Sequence, residues 1–297
     1  MTVMPTLVAL IGPVEPDLLE TWLRHYREIG IERFTLGFHY PDHVTEDVKE
    51  LLSDVCRREG IAPALVSGGP WHEHTNPQLT AELRGIAGDG WHLVADSDEF
   101  HTYPAPLADV LRDAEHRGTQ TVGGLMLDRA SADGTLTGWD PAAGLDAGYP
   151  LGAFLTHRLL RGDPRKIVLA HSSVVLSSGN HRAPGHRPIN RPPVVVHHFK
   201  WRADIRDDLD RRYRHSLDGS WQTDSPAIPT EARRILDHLD QHNGRINVHD
   251  PDLAFRPVSL MHQPSWWVGE ATQIVETWRP PARGHSQSGA MTSSPSP

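Results

Sequence analysis

The chain has 297 residues, a formal net charge of −9 and a single cysteine, Cys56. This length is enough to bury a core in one large α/β domain, or in a domain with a smaller appendage. One cysteine excludes an intramolecular disulfide and a multi-cysteine metal site, which favours a reducing, cytoplasmic location. The acidic balance disfavours general nucleic-acid binding. No long apolar run and no signal-peptide pattern is present, so no integral membrane segment is expected.

The first half of the chain alternates strand and helix patterns. Strands are predicted in TLVALIG, RFTLGF, IAPALVS and WHLVA. Helices are predicted in LLETWLRHYREIG behind Pro16, in VTEDVKELLSDVCRREG, and after Asn76. The third helix is predicted to turn three side chains inward: Leu79, Leu83 and Ile86. This order predicts an α/β fold with a mostly parallel central sheet flanked by helices.

The second half is less regular. A helix (PLADVLRDAEHRG) and a strand (TVGGLMLDR) precede residues 129–165, which are rich in Gly, Asp and Pro and are predicted to form an irregular, substrate-facing excursion. Two late strands are predicted in KIVLAHSSVVLSSGNH and PPVVVHHFKW, followed by helices in IRDDLDRRYRHSL and PTEARRILDHLDQH. WWVGEATQIVETW is predicted to dock on the core, and the tail from Pro280 to be disordered.

The fourth strand runs directly into a cluster of acids, Asp96, Asp98 and Glu99, in LVADSDEF. Carboxylates this close repel one another unless solvent or a cation separates them. In an extended segment Asp96 and Asp98 would point to one side and Glu99 to the other. That spacing suits Mg²⁺ or Mn²⁺ on a substrate's phosphates, at the strand ends where open α/β sheets bind ligands. The alternative is a hydrophilic strand end whose carboxylates cap backbone amides.

Several ordered segments carry a resemblance to a known family: LLETWLRHYREIGIERF, WHLVADSDEF, KIVLAHSSVVLSSGNH and VVVHHFKWR. Together, over about residues 5–215, they resemble bacterial glycosyltransferases of the family 2-like and family 92-like groups, which have a DxDEF motif. The resemblance implies a GT-A (Rossmann-like) fold, a nucleotide-diphosphate sugar donor, Mn²⁺ or Mg²⁺ at the Asp-x-Asp motif and, usually, inversion at the anomeric carbon. It implies a hexosyltransferase-like enzyme with a small-molecule or glycan acceptor.

The resemblance also implies roles for individual residues. Asp96 would approach the donor's ribose or the metal shell, and Asp98 would be the direct metal ligand. Glu99 would orient the loop. His198 matches a late histidine that reaches the metal or the diphosphate from the opposite side. Its neighbour His197 points the other way along a strand, so only one of the two is expected in the site.

An inverting transfer also needs a general base for the acceptor hydroxyl. Carboxylates follow the fifth strand in LMLDRASADGTLTGWD, at Asp128, Asp133 and Asp140. Asp133 precedes a glycine and is interpreted as a turn residue. Asp128 has a competing structural role beside Arg129, and Asp140 follows a tryptophan suited to packing a sugar face. Both remain candidates, with a slight preference for Asp128.

Cations are predicted to hold the diphosphate. His181 and Arg182 lie in the loop SSGNHRAPGHRPINRPP, and arginine suits phosphate oxygens. Lys200 shares the strand parity of His198, which favours the same face. The alternatives are a solvated basic loop, and a lysine packed over Trp201.

Two strand ends depart from the resembled pattern. The first reads IGPVEPD in place of a Lys-Asn-Glu-like turn, and the second reads GFHYPDHVTED in place of an Asp-rich turn. Base and ribose recognition would normally lie there, so the nucleotide stays open. Glu15, His39 and Asp42 are the local polar candidates, and each is equally interpretable as a loop residue.

The predicted organisation is a GT-A-like catalytic domain in residues 1–203, a packed C-terminal helical part in 204–279 and a disordered tail in 280–297. Two other functions compete with the glycosyltransferase. One is a metal-dependent phosphoesterase or nucleotidyltransferase that uses the same carboxylates and histidines. The other is a non-catalytic carbohydrate-binding protein of the same fold. The sequence leaves the sugar, the acceptor and the oligomeric state open.

Overall fold

The computed structural model describes residues 3–223, 225 and 227–279. The strands are β1 (Thr6–Ile11), β2 (Arg33–Tyr40), β3 (Leu65–Gly68), β4 (Trp91–Val94), β5 (Glu99–Thr102), β6 (Thr121–Ala130), β7 (Leu151–Ala153), β8 (Arg165–His171), β9 (Ile189–His198) and β10 (Arg256–Pro257). The helices are α1 (Pro16–Glu28), α2 (Glu46–Arg58), α3 (Thr75–Ala87), α4 (Leu107–His116), α5 (Leu145–Gly148), α6 (Ile205–Asp218), α7 (Ala227–Gln241) and α8 (Trp267–Thr277). A π-helical turn covers Thr156–Leu160 and a 3₁₀ turn covers Ser178–Asn180.

The strands form one mixed sheet in the order β10-β7-β6-β8-β4-β1-β2-β3, and β9 pairs with both β5 and β6. The four strands β1 to β4 are parallel to one another. The remaining part is mixed, because β8 pairs antiparallel with β4 and β6, whereas β9 runs parallel to β6. The carboxyl ends of β1, β2 and β4 therefore meet at one edge, where ligands bind in open α/β sheets.

Helix α1 shows how the sequence pattern becomes packing. It begins at Pro16, whose missing N–H costs nothing in a first turn, and its apolar stripe is buried against the sheet. The buried side chains of this helix are Leu18, Leu19, Trp22, Leu23, His25 and Tyr26. Together with apolar residues of β1, β2, β6 and β9, the side chains of this helix other than His25 form the largest core cluster.

The α/β class is confirmed, with the parallel order concentrated in the N-terminal half of the sheet. Both late strands are present as β8 and β9. The inward orientation predicted for Ile86 is wrong, since this side chain is 52% exposed. Residues 129–165 are largely irregular but contain β7, α5 and the π-helical turn.

The C-terminal helices pack against the sheet. Residues of α6 and α7 share a buried cluster with Ala130, Leu155 and Leu160, and α8 packs on β9 through Trp267. The boundaries at residues 203 and 279 stay predictions. The tail predicted to be disordered, 280–297, lies outside the described residues. Over the ranges that the structure describes, no helix combines the length and the apolar character needed to cross a membrane.

Candidate functional site

The acidic cluster lies where β4 ends and β5 begins. Asp96 to Asp98 form a turn instead of an extended segment, and β5 starts at Glu99. The turn is closed by the amide of Glu99, which donates to the carbonyl of Asp96 at 3.0 Å. The prediction that Asp96 and Asp98 point to the same side is therefore wrong. Side chains alternate between two sides in a strand, but not in a turn.

Side chains of helix α1 hydrogen-bond to the backbone carbonyls of this turn. The indole Nε1 of Trp22 donates to the carbonyls of Asp96 (3.0 Å) and Glu99 (2.9 Å). The hydroxyl of Tyr26 donates to the Glu99 carbonyl at 3.0 Å. His25 Nε2 lies 3.0 Å from the carbonyl of His101 in β5. The first-helix pattern and the acidic motif are thus parts of one hydrogen-bonded unit.

Asp96 is bound to a buried lysine. Lys166 Nζ donates to Asp96 Oδ2 (2.9 Å), Glu99 Oε1 (2.7 Å) and the carbonyl of Gly179 (2.8 Å). Burial alone lowers the pKa of Lys166, but the two carboxylates outweigh it and raise the pKa, so the ammonium stays charged. The three donor positions of this lysine are all used, and they tie both acids to β8.

Asp98 faces the other way, toward His198 at the end of β9. His198 Nε2 lies 3.7 Å from Asp98 Oδ2, and its Nδ1 lies 2.8 Å from Asp128 Oδ1. Burial lowers the pKa of His198, but Asp98 and Asp128 outweigh it, and the net shift is upward. Burial raises the pKa of Asp98, and the cations His198, Arg202 and Lys200 more than reverse this. Asp98, His198 and Asp128 thus form a line of alternating charge.

Asp128 is the anchor of that line. Its side chain is 0% exposed. In addition to His198 Nδ1, its oxygens accept from Trp201 Nε1 (3.1 Å), Thr156 Oγ1 (3.0 Å) and the amide of Thr156 (2.7 Å). A carboxylate this buried and this fully bonded cannot reach an acceptor hydroxyl. It does fix the ring orientation of His198 so that Nε2 points to Asp98.

These groups border a cavity of about 570 Å³ at the carboxyl ends of β1, β2 and β4. The charged and aromatic side chains that line it come from all of these strand ends and from α6: Glu15, His39, His43, Trp71, Asp96, Asp98, His198, Lys200, Arg202, Asp204, Asp208, Arg211, Arg212 and Trp221. Cations and acids therefore line one space. A second cavity, of about 930 Å³, lies between α3 and residues 171–180, and Asp96 also lines it.

Arg202 connects two walls of the first cavity. Its Nε and Nη2 donate to the two oxygens of Glu15 at 3.0 and 2.8 Å, so the first and last elements of the site are joined by a bidentate pair. Its remaining nitrogen, Nη1, is buried and has no hydrogen-bond partner among the described residues. An unpaired buried donor costs about 1–3 kcal/mol. An anion that reached Nη1 after a small movement of the side chains that cover it would remove that cost.

Asp98 and His198 are the side chains in this cavity that could share a metal ion. Across the described ranges, no three His, Cys, Asp or Glu side chains converge to hold a metal by themselves. Asp98 and His198 are nevertheless close enough to share one ion, since ligands on opposite sides of Mg²⁺ stand about 4.2 Å apart at its ~2.1 Å bonds. A carboxylate behind the ligating histidine is the usual support of a metal-bound imidazole. Two protein ligands fit a cation that completes its shell with phosphate oxygens and water.

Not every predicted site residue lies in this cavity. His181 Nδ1 lies 2.9 Å from the Arg165 carbonyl, and Arg182 Nε donates to Asp163 at 3.0 Å. Their polar groups are occupied by these partners, and neither residue lines the cavity of Asp98. Asp140 is exposed and its Oδ1 accepts from the amide of Ala142 at 3.0 Å, as in a turn. These three residues are therefore not brought together with Asp98.

The other predicted residues are found as follows. Lys200 lines the cavity with His198, and its Nζ also lies 5.4 Å from the Trp201 ring centroid. His197 lies on the opposite side of β9, with Nδ1 3.1 Å from Arg129 Nη1. Asp133 accepts from the amide of Thr135 at 3.1 Å and is a turn residue, as predicted.

Sequence reasoning missed Lys166 and Arg202 as partners of the acids. Lys166 begins the apolar run of β8, and its relative exposure is 4%. A lysine inside an apolar strand is rarely buried without a partner, which was the available signal. Arg202 gave no such signal, because its partner Glu15 lies 187 positions earlier in the chain.

No family model matches the chain, and no curated protein matches it. Three solved structures illustrate the likeness that was found. Yersinia pseudotuberculosis HddC superimposes with a TM-score of 0.28 at 10% identity over 43% of this chain, which spans 60% of that chain. S. aureus TarS 1-349 in complex with UDP gives a TM-score of 0.35 at 10% identity, with coverage of 80% and 74%.

The third is the mannosyltransferase PcManGT from Pyrobaculum calidifontis in complex with GDP-Man and Mn²⁺. It gives a TM-score of 0.39 at 15% identity, over 85% of this chain and 74% of that one. These TM-scores and identities are too low to assign a family or an activity to the chain.

Proposed function

We propose that the chain is a metal-dependent glycosyltransferase of GT-A type. It moves a hexose from a nucleotide-diphosphate sugar to an acceptor hydroxyl, with inversion at the anomeric carbon. The observation that carries the proposal is the pair of Asp98 and His198, 3.7 Å apart in a cavity at the carboxyl ends of the parallel strands. The fixed ring of His198, backed by Asp128 at 2.8 Å, supports a ligand role.

Asp98 and His198 would hold Mn²⁺ or Mg²⁺, and the metal would displace the proton that the raised pKa of His198 favours, so that neutral Nε2 is the ligand. The cation supplies positive charge that offsets the diphosphate leaving group. This proposal narrows the metal set predicted from the sequence, because Asp96 is already paired with Lys166 at 2.9 Å. Asp96 is assigned to positioning the turn and, through its 42% exposed carboxylate, to the cavity wall.

Two cations that line the same cavity are assigned to the diphosphate. Arg202 offers the unpaired Nη1, and Lys200 lines the same space. Burial lowers the pKa of Lys200, and Arg212 lowers it further, so an anion nearby would stabilise its charged form. Arg202 and Lys200 replace His181 and Arg182, which lie outside the cavity.

A general base is still required, and Asp204 is assigned to it in place of Asp128 and Asp140. Asp204 is exposed, lines the cavity and precedes α6. Its backbone is left-handed, with φ 65°, a conformation that costs free energy and that surrounding structure must enforce. Within the described part of the chain the Asp204 carboxylate makes no capping hydrogen bond to α6, so it is available to accept a proton.

The metal assignment is tested by calorimetry. UDP, GDP and dTDP are titrated with and without Mn²⁺ into wild type, into Asp98→Asn and into Asp54→Asn, a surface control on α2. We expect one diphosphate to bind only with Mn²⁺, and Asp98→Asn to lose that binding while Asp54→Asn keeps it. Metal-independent binding, or full binding by Asp98→Asn, would overturn the assignment.

The base assignment is tested by turnover of the donor that binds. Asparagine tolerates the left-handed backbone, so Asp204→Asn should fold and bind nucleotide normally. We expect kcat to fall by about 10²-fold or more, in the range of general-base losses. Asp207→Asn, on the same helix end, is the matched control. Release of phosphate without sugar transfer would favour the phosphoesterase instead.

A further inference from the structure

The second cavity, of about 930 Å³, is not used by the proposed chemistry. One of its walls is helix α3, and the other is the segment 171–180 that follows β8. It meets the first cavity at three residues that line both, Leu10, Asn76 and Asp96. Its volume is at the upper end of the range for small-molecule sites, about 300–1,000 Å³. A molecule bound there can therefore reach the candidate metal site past the carboxylate of Asp96.

The two walls run side by side between the same two ends. Next to the first cavity, Lys166 binds both Asp96 and the carbonyl of Gly179. At the far end, the amide of Ser172 donates to the carbonyl of Gly90 at 2.8 Å. The 13 residues of α3 cover about 20 Å between these ends, at ~1.5 Å per residue. The cavity is therefore an elongated groove that leads away from the candidate site, and we call it the α3 groove.

Arg84 holds the walls of the α3 groove together. From α3, its Nη1 and Nη2 donate to the carbonyls of Val174 and His171 on the opposite wall. Its Nε donates to His92 Nδ1 at 3.1 Å. Each nitrogen of this buried guanidinium therefore has a partner inside the protein. The groove is formed before any ligand binds, which reduces the ordering that binding would cost.

The α3 groove differs from the first cavity in its chemistry. Apolar side chains line much of it: Leu10, Pro77, Ala81, Val174, Val175 and Leu176. Val175 is 74% exposed there. Among the described residues that line the groove there is no lysine, no arginine other than Arg84, and no Phe, Tyr or Trp. The groove therefore offers no free Lys or Arg to a phosphate and no flat Phe, Tyr or Trp face to a sugar ring, but it suits an uncharged apolar body.

We propose that the α3 groove binds the apolar part of the acceptor, which is an uncharged amphiphilic alcohol. Its hydroxyl lies at the polar junction formed by Asp96 and Asn76, and its apolar body lies against Ala81 and Val175. In the transfer, the acceptor oxygen bonds the anomeric carbon as the bond from that carbon to the diphosphate breaks, and the hydroxyl proton goes to Asp204. This inference rests on the proposed function, because it names the acceptor class of the same reaction.

The experiment uses the full chain with Mn²⁺ and the nucleoside diphosphate that binds. Calorimetry compares methyl β-D-glucoside with octyl β-D-glucoside, kept below its micelle concentration, and with maltotriose as a glycan without an apolar chain. Each buried methylene is worth about 4-fold in affinity, so burial of two already gives about 16-fold. We expect octyl glucoside to bind at least about 10-fold more tightly than either of the other probes.

Two variants locate the binding. Ala81→Trp fills the groove from an exposed position of α3, and Glu82→Trp places the same ring on the same helix outside the groove. Ala81→Trp should remove the roughly 10-fold advantage of the octyl chain and leave nucleotide binding unchanged, because Ala81 does not line the first cavity. Glu82→Trp should behave as wild type. If Ala81→Trp does not fold, Val175→Asp replaces it, with the same expected loss.

The acceptor role is then tested by mass spectrometry of hexose transfer, with the glucose, galactose and mannose donors of the nucleotide that binds. We expect kcat/KM to be higher for octyl than for methyl glucoside, and Ala81→Trp to abolish the difference. Equal affinity for the two glucosides, tighter binding of maltotriose, octyl binding unchanged in Ala81→Trp, or octyl binding without transfer would each overturn the inference. Failure of wild type to bind any nucleoside diphosphate would instead refute the proposed function, whether or not octyl glucoside binds.

Discussion

Asp96 and Asp98 are two residues apart and have opposite environments. Asp96 is held by the buried ammonium of Lys166 at 2.9 Å, and Lys166 in turn neutralises Glu99. Asp98 has the imidazole of His198 at 3.7 Å, and the other cations that act on it, Arg202 and Lys200, line the cavity with it. The same turn therefore contains one acid whose charge is satisfied inside the protein and one whose charge is available to a ligand.

This difference explains how three acids, Asp96, Asp98 and Glu99, can lie within four consecutive positions. The repulsion among them is relieved on one side by the buried ammonium of Lys166, which leaves Asp98 for the exchangeable cation proposed above. It also means that substitutions on the two sides should have different consequences. Substitution of Lys166 should lower the free energy of unfolding, and substitution of Asp98 should weaken ligand binding.

The largest effect is expected from Lys166→Met. It leaves Glu99 buried without a counter-charge, which costs about 3–5 kcal/mol for a broken buried pair. The double variant Lys166→Met with Glu99→Gln should recover at least half of this loss, since no uncompensated buried charge remains. Urea denaturation measures both, with the surface variant Lys49→Met as control. A double variant no more stable than the single one would contradict the pairing.

An intermediate effect is expected from Asp128→Asn. The carboxamide presents an N–H₂ to a site where every described partner is a donor, so the ring of His198 loses its fixed orientation. Affinity for Mn²⁺ in the presence of the bound diphosphate should fall about 10–100-fold, as for other partners of ligating histidines. Calorimetry measures it, and Asp133→Asn, an exposed turn carboxylate, should behave as wild type. Unchanged affinity would remove Asp128 from this role.

The smallest effect concerns the helix that supports the turn. Burial lowers the pKa of His25 to about 4, although the hydrogen bond to the His101 carbonyl opposes this. The unfolded histidine has its ordinary pKa near 6.5, so its contribution is present above that pH and is lost as pH falls toward 4. Lowering the pH from 7 to 5 should cost about 2 kcal/mol through this residue alone. Urea denaturation at both pH values should show a smaller difference for His25→Gln; an equal difference would mean that His25 is already charged.

Much of the fold was predictable because it depends on local periodicity. The strands β1, β2 and β4 and the helices α1 and α2 follow from apolar spacing with a proline or glycine at their ends. The inward orientation predicted for Ile86 was wrong because apolar periodicity locates the buried stripe of a helix but not where that stripe ends. Ile86 lies at its exposed edge.

The candidate site was only partly predictable. Asp98 and His198 were found from motif and strand position, and both line the cavity. Asp128 was preferred as a general base, but the structure gives it a buried position with four hydrogen-bond donors. The sequence alone cannot distinguish such a carboxylate from a free one. The roles given to Lys166 and Arg202 depend on pairs separated by 70 and 187 positions, a distance at which no local pattern exists.

The indole of Trp22 has a consequence for the length of the acidic turn. Its single N–H is shared by the carbonyls of Asp96 and Glu99, at 3.0 and 2.9 Å, and so spans the turn from one end to the other. One inserted residue would carry one of these carbonyls out of reach. The length of the segment from Asp96 to Glu99 is therefore constrained by Trp22, which lies 74 positions before Asp96 in the chain.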